Sequence, residues 1–188
     1  MPQSTEENFL ESACKLFRYY KALGEKAIDQ LSDEQVLAQP NEASNSIALI
    51  VHHLNGNMLS RWTDFLTSDG EKPWRNREAE FDQSYGDKKI MMEAWNAGWD
   101  CLLHALDSLK ADDLSKIIYI RNEGQTVLEA IQRQLAHYPM HVGQIIYQAK
   151  ILKGHDFQSL SIPKGNSAVY NQEKFSREKE RRHFTDQV

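Results

Sequence analysis

Residues 126–154 read TVLEAIQRQLAHYPMHVGQIIYQAKILKG, and this stretch decides the fold. Ile131, Leu135, Tyr138, Val142, Ile145, Ile146 and Ala149 recur every three or four positions, the spacing of one face of an α-helix. Thr126 followed by Glu129 is a capping box at its start, and Gly154 is a stop signal at its end. The spacing therefore predicts a helix over 127–153. His137 and His141 lie one turn apart on one flank of its apolar stripe, with Gln134, Gln144 and Gln148. Between them stands Pro139, which removes the amide that would bond the Leu135 carbonyl, at a cost of about 3 kcal/mol in an ordinary helix interior. A kink is expected there.

Three further amphipathic helices precede this one. Ser4 and Glu7 form a capping box, and Phe9, Leu10, Ala13, Phe17, Leu23, Ala27 and Leu31 carry a long helix over 4–31. LSDEQVLAQP predicts a short helical turn ended by Pro40. A second long helix starts at Asn45 or Ser46, with Ile47, Ile50, Val51, Leu54, Met58, Trp62 and Phe65 as its stripe, and ends near Ser68. A third runs from about Asp87 to Leu109 on Met91, Trp95, Leu102, Leu106 and Leu109. Between these two, SDGEKPWRNREAEFDQSYGD is rich in charge and breakers and long for a connection, so a structured loop anchored by Trp74 and Phe81 is expected. KIIYIRNEGQTV predicts an extended segment or small hairpin before the last long helix, around an Asn-Glu-Gly turn signal. The pattern is that of an all-α four-helix bundle. Residues 1–155 form its domain, and 156–188 are a C-terminal arm packed on it or extending from it, with a last short helix.

Composition excludes several function classes. A net charge of -5 and a pI near 5.8 give no general attraction to nucleic-acid phosphate. The basic residues of EKFSREKERRHF alternate with glutamates, as on a solvated helix face. No apolar run approaches the roughly 20 residues of a spanning helix, and MPQSTEENF lacks the basic and apolar parts of a secretory signal, so a cytoplasmic protein with no membrane partner is expected. Cys14 and Cys101 sit in apolar helical patterns and read as small buried side chains.

Two histidines one turn apart make a chelating geometry, but catalytic zinc centres commonly use three protein ligands. His104 and His155 fall on polar surfaces, which leaves His52 and His53. These flank the stripe of the second long helix at similar angles on opposite sides, and periodicity does not choose between them.

SIALIVHHLNGNMLSRW and AHYPMHVGQIIYQAKILKG together resemble the DinB-like superfamily of metal-binding four-helix bundles, which includes YfiT-like hydrolases and thiol-dependent transferases. GNMLSRWTDFLTSDGEKPWRNREAEF, IRNEG, RQLAHYPMHVGQI and SLSIPKGNS are similar to a bacterial subgroup of unknown function. The resemblance spans most of 5–170, and Pro139 departs from its pattern. It implies His53, rather than His52, as the third ligand beside His137 and His141. It also implies one divalent ion per chain, zinc or nickel first and iron or manganese as alternatives. The activity implied is a metal-dependent enzyme that activates a low-molecular-weight thiol for transfer, or water for hydrolysis; a noncatalytic metal-binding or dimerisation module is the alternative. A homodimer is expected from the family habit and from aromatic residues beyond the four stripes, Trp74, Trp99 and Tyr170. Asn57 and Arg61 follow His53 at one-turn intervals, so Arg61 is a candidate for binding an anionic substrate group, or else one half of a structural ion pair.

Overall fold

The computed structural model describes residues 3–82 and 85–187. Positions 83 and 84 of the long connection and the last residue of the arm lie outside them. The described chain is mainly helical, with one two-stranded sheet. Four long helices carry the core: α1 (Thr5–Ile28), α3 (Ile47–Trp62), α5 (Lys88–Asp107) and α6 (Val127–Lys153). Short helices α2 (Asp33–Leu37), α4 (Ala79–Asp82) and α7 (Ser167–Phe175) occupy the connections and the arm. No helix among the described residues is long and apolar enough to cross a membrane.

The predicted caps operate as local chemistry requires. Ser4 and Glu7 exchange side-chain and backbone bonds at 2.8 and 3.1 Å, and Thr126 and Glu129 do the same at 2.7 and 3.1 Å. Each box satisfies amides that a helix start leaves without partners. A third box, Ser32 with Gln35, starts α2. Gly154, at φ 57°, ends α6 in a conformation that only glycine adopts without strain.

The four helices pack in a ring: α1 against α5 and α6, and α3 against α5 and α6. Gly24 meets the Trp95 ring and Phe17 meets Trp99, so α1 and α5 run in opposite directions. Gln148 bonds the Asn45 carbonyl, whereas His137 faces His53, so α3 and α6 are also antiparallel. At the centre, Phe17, Trp95, Trp99 and Tyr138 are buried to within 1%. Trp99 is therefore core and not a surplus aromatic; four positions after Trp95 and three before Leu102, it shares their inner face of α5. Both cysteines are half-buried and unpaired by disulfide.

One helix boundary and one expected anchor differ from expectation. The second long helix stops at Trp62, not near Ser68, because Thr63 is extended and Asp64 adopts φ 48°. The Asp64 carbonyl then accepts the amides of Thr67 and Ser68 in a tight turn. Phe65 remains buried against Trp62, so the apolar rhythm outlasts the helix. Trp74 is 58% exposed, contrary to its expected role as an anchor of the connection. The start of that segment, around Asp69 and Gly70, is held by polar contacts. The Asp69 carboxylate accepts the amides of Glu71, Arg121 and Asn122 at 2.7 to 2.9 Å, and the Gly70 amide donates to the Tyr119 carbonyl.

Those contacts tie the connection to the hairpin β1 (Ile117–Ile120) and β2 (Glu123–Thr126). Its two-residue turn is Arg121-Asn122, both at positive φ, and not the Asn-Glu-Gly signal read from sequence. Positive φ at both central residues matches the twist of an antiparallel pair. The arm returns along α1: Ser12 bonds His183, Asn8 accepts from Arg181, and Phe184 packs edge-on against Tyr19.

Candidate metal centre

α3 places His53 and α6 places His137 and His141 so that one nitrogen from each ring lies within 4.8 Å of the others. His137 Nε2 is 3.4 Å from His53 Nε2 and 3.1 Å from His141 Nε2. The opposite nitrogen of each ring is already engaged. His53 Nδ1 donates to Glu80 at 3.0 Å, His137 Nδ1 to the Gln134 amide oxygen at 3.0 Å, and His141 Nδ1 to the Gln144 amide oxygen at 2.8 Å. A neutral imidazole carries one N–H, so these three bonds leave three Nε2 lone pairs facing one another. Lone pairs repel unless a cation lies between them. Two nitrogens at about 2.05 Å from a tetrahedral zinc would be about 3.3 Å apart, so the 3.4 and 3.1 Å spacings about His137 fit a chelate. The outer bonds also fix each ring's tautomer, as acceptors behind histidine ligands generally do.

Burial, reinforced by the neighbouring histidines and by Arg133 and Arg61, pushes the His137 pKa down to about 4. Burial also lowers His141, against the Gln144 bond. Both rings are thus kept in the form that can ligate a metal. Between pH 6.5 and about 4 the unfolded chain binds a proton that folded His137 refuses. The stability of the metal-free protein is therefore expected to fall as pH drops through that window. Urea titrations at pH 7 and 4.5 check this: His137→Gln should lose less on acidification than the parent, and equal losses would remove His137 as the cause.

Glu80 is the residue that sequence reasoning missed. It sits on α4, 3% exposed, and also accepts from Arg75 Nε at 2.7 Å and Nη2 at 3.0 Å. Burial alone would raise its pKa, but the bonds from His53 and Arg75 outweigh it and hold the carboxyl below the usual range. Gly56 makes room for it: a Cβ there would stand 2.2 Å from Glu80 Oε1. Phe81 stacks on His53 with ring centroids 5.1 Å apart, so this anchor of the connection is where expected. Only the length of the connection hinted at Glu80, since no periodicity marks a ligand's partner in a loop.

The remaining candidates are dispersed. His52 packs near Tyr85, outside the triad, with ring centroids 5.0 Å apart. His104 is exposed and bonded to its own helix at the Asp100 carbonyl, and His155 is exposed. Asn57 accepts from Tyr138 at 3.0 Å, which in turn accepts from Trp62. Arg61 is buried, donates to the Gly70 carbonyl, and reaches Glu71 at 3.3 Å. Both side chains line a cleft of about 540 Å³ that opens on His53 and His137.

Residues 4–166 match the family described as Protein of unknown function (DUF1572). The chain belongs to that family. No curated protein matches it. Membership covers the four long helices, the hairpin and all three histidines, so the triad lies within the matched segment.

α6 runs unbroken from Val127 to Lys153 through Pro139, with both rings already turned to a common point. Residues four apart share a helix face without help from a kink. Pro139→Ala is therefore expected to keep metal affinity and leave the melting temperature unchanged or higher, by restoring the bond to the Leu135 carbonyl. A metal titration beside a thermal melt decides it; weaker binding would mean that the proline aims the rings.

Proposed function

We propose that this family member is a metal-dependent enzyme on a DinB-like four-helix bundle, with His53, His137 and His141 holding one divalent ion. The observation that carries the reading is the set of three convergent Nε2 atoms, each backed by an acceptor on Nδ1. Imidazole nitrogens suit zinc and nickel first, with iron or manganese as alternatives. When bound, such an ion lowers the pKa of a coordinated water to about 7 or holds a thiol as its thiolate. Around it, Glu80 orients His53, Gln134 and Gln144 orient the α6 pair, and Phe81 shields one face of His53 from water.

A structural zinc site is closed by four protein ligands, whereas a catalytic one keeps a position open. The cluster among the described residues comprises three histidines, and the cleft reaches two of them. This favours catalysis over a noncatalytic metal-binding or dimerisation module. Thiol transfer is the first reaction class and hydrolysis the second, with the cleft residues Asn57 and Arg61 facing the substrate. Elemental analysis together with a screen of low-molecular-weight thiols against electrophiles tests the proposal: stoichiometric metal with metal-dependent turnover supports it, and metal without turnover of thiols or esters favours the noncatalytic module. Homodimerisation belongs to the same proposal, supported by the exposed Met140, Tyr147 and Ile151 along α6. Sedimentation showing only a 21.7 kDa species would remove it.

A further inference from the structure

Five of the chain's nine arginines line the cleft beside the histidines: Arg61, Arg75, Arg77, Arg121 and Arg133, with no lysine among them. They arrive from four separate parts of the fold: α3, the connection before α4, the hairpin turn, and α6. Such convergence is costly in a chain whose net charge is -5. Three carboxylates pair with these cations. Glu80 is committed to Arg75, Glu71 is shared by Arg61 and Arg121 at 3.3 and 3.1 Å, and exposed Glu78 reaches Arg77 at 3.4 Å. Asp69, close by, is turned to backbone amides instead. Arg133, exposed on α6, enters none of the ion pairs or hydrogen bonds seen among the described residues, and acts on His137 only through its charge. Guanidinium groups thus exceed their paired carboxylates by two, before any divalent ion is added.

The placement is directional. Arg133 precedes His137 by one turn of α6, while Asn57 and Arg61 follow His53 by one and two turns of α3. Because these helices are antiparallel, both rows lead from the histidines toward the same end of the cleft, and one turn is about 5.4 Å. Arg121 is held at that end by its left-handed turn conformation and the Asp69 cap. Arg61, Arg121 and Arg133 also border an adjoining cavity of about 160 Å³. The guanidinium fork matches carboxylate and phosphate oxygens in pairs, which a lysine ammonium does not.

We propose that this arginine-lined end is an oxyanion subsite: it holds the phosphate or carboxylate group of a small-molecule substrate whose reactive atom reaches the three histidines about one helical turn away. The inference rests on the metal-centre reading for the reactive end, but the subsite can be tested apart from it. The cleft volume of about 540 Å³ lies in the range of small-molecule sites. Arg133, unpaired among the described residues, makes the first contact, while Arg61 and Arg121, tethered through Glu71, set its far wall.

The test is calorimetric titration of the zinc-loaded and the chelator-treated protein with inorganic phosphate and, separately, with succinate. Binding of either oxyanion is expected in both forms and should weaken as salt rises. Arg133→Gln, an exposed position, should weaken it by about tenfold or more while leaving zinc uptake and the melting temperature unchanged. The tighter of the two probes identifies the group as phosphate or carboxylate. His137→Ala should lose zinc yet still bind the oxyanion, so failure of the metal reading leaves the subsite standing. No binding of either probe, or binding that Arg133→Gln and Arg121→Gln leave unchanged, would overturn the proposal.

Discussion

Replacing His137 with alanine is expected to leave the protein folded and strip it of its divalent ion. Its Nε2 is the one nitrogen in close range of both others, at 3.4 and 3.1 Å. Loss of a ligand itself should cost more than the roughly 10–100-fold that loss of a ligand's hydrogen-bonding partner costs. His53→Ala and His141→Ala should do the same, because two imidazoles make a poor divalent site. His52→Ala should retain the metal, since its ring packs near Tyr85 away from the cluster. Competition with a chromophoric chelator measures all four variants. Retention of metal by His53→Ala with loss in His52→Ala would reverse the assignment on α3.

The second large effect is expected at Glu80. Glu80→Ala leaves the Arg75 guanidinium, whose side chain is 2% exposed, without its principal counter-charge and frees the His53 ring. Breaking a buried pair from one side costs about 3–5 kcal/mol. Metal affinity should fall roughly 10–100-fold in addition, because His53 loses the acceptor that fixes its tautomer. Gly56→Ala should reproduce both losses more weakly by driving a methyl group into the Glu80 carboxylate. Denaturant unfolding and the chelator competition separate the two effects. Full stability of Glu80→Ala would show that Arg75 finds another partner, and unchanged metal affinity would remove Glu80 as the support of His53. The contribution of the ionised carboxylate is present above its ordinary pKa and disappears as pH falls through its lowered folded value.

What the sequence determined by itself was whatever depends on local spacing. The caps at Ser4 and Thr126, the extent of α6 from Val127 to Lys153, and the shared flank of His137, His141, Gln134 and Gln144 all follow from helical periodicity and terminal chemistry. Resemblance, and not periodicity, singled out His53, because two adjacent residues on opposite sides of a stripe are equivalent until a neighbouring helix is present. Tertiary structure decided what depends on contact between distant segments. Trp62 ends its helix because Thr63 is extended and Asp64 turns the chain, and Trp74 is exposed while Asp69, not an aromatic ring, pins the connection to the hairpin. Glu80 backing His53, and five arginines gathered from four segments, have no signature in spacing. Buried carboxylates and clustered cations are placed by the partners the fold brings to them: Glu80 meets Arg75 and His53 from 5 and 27 positions away, and Arg121 reaches Glu71 across 50.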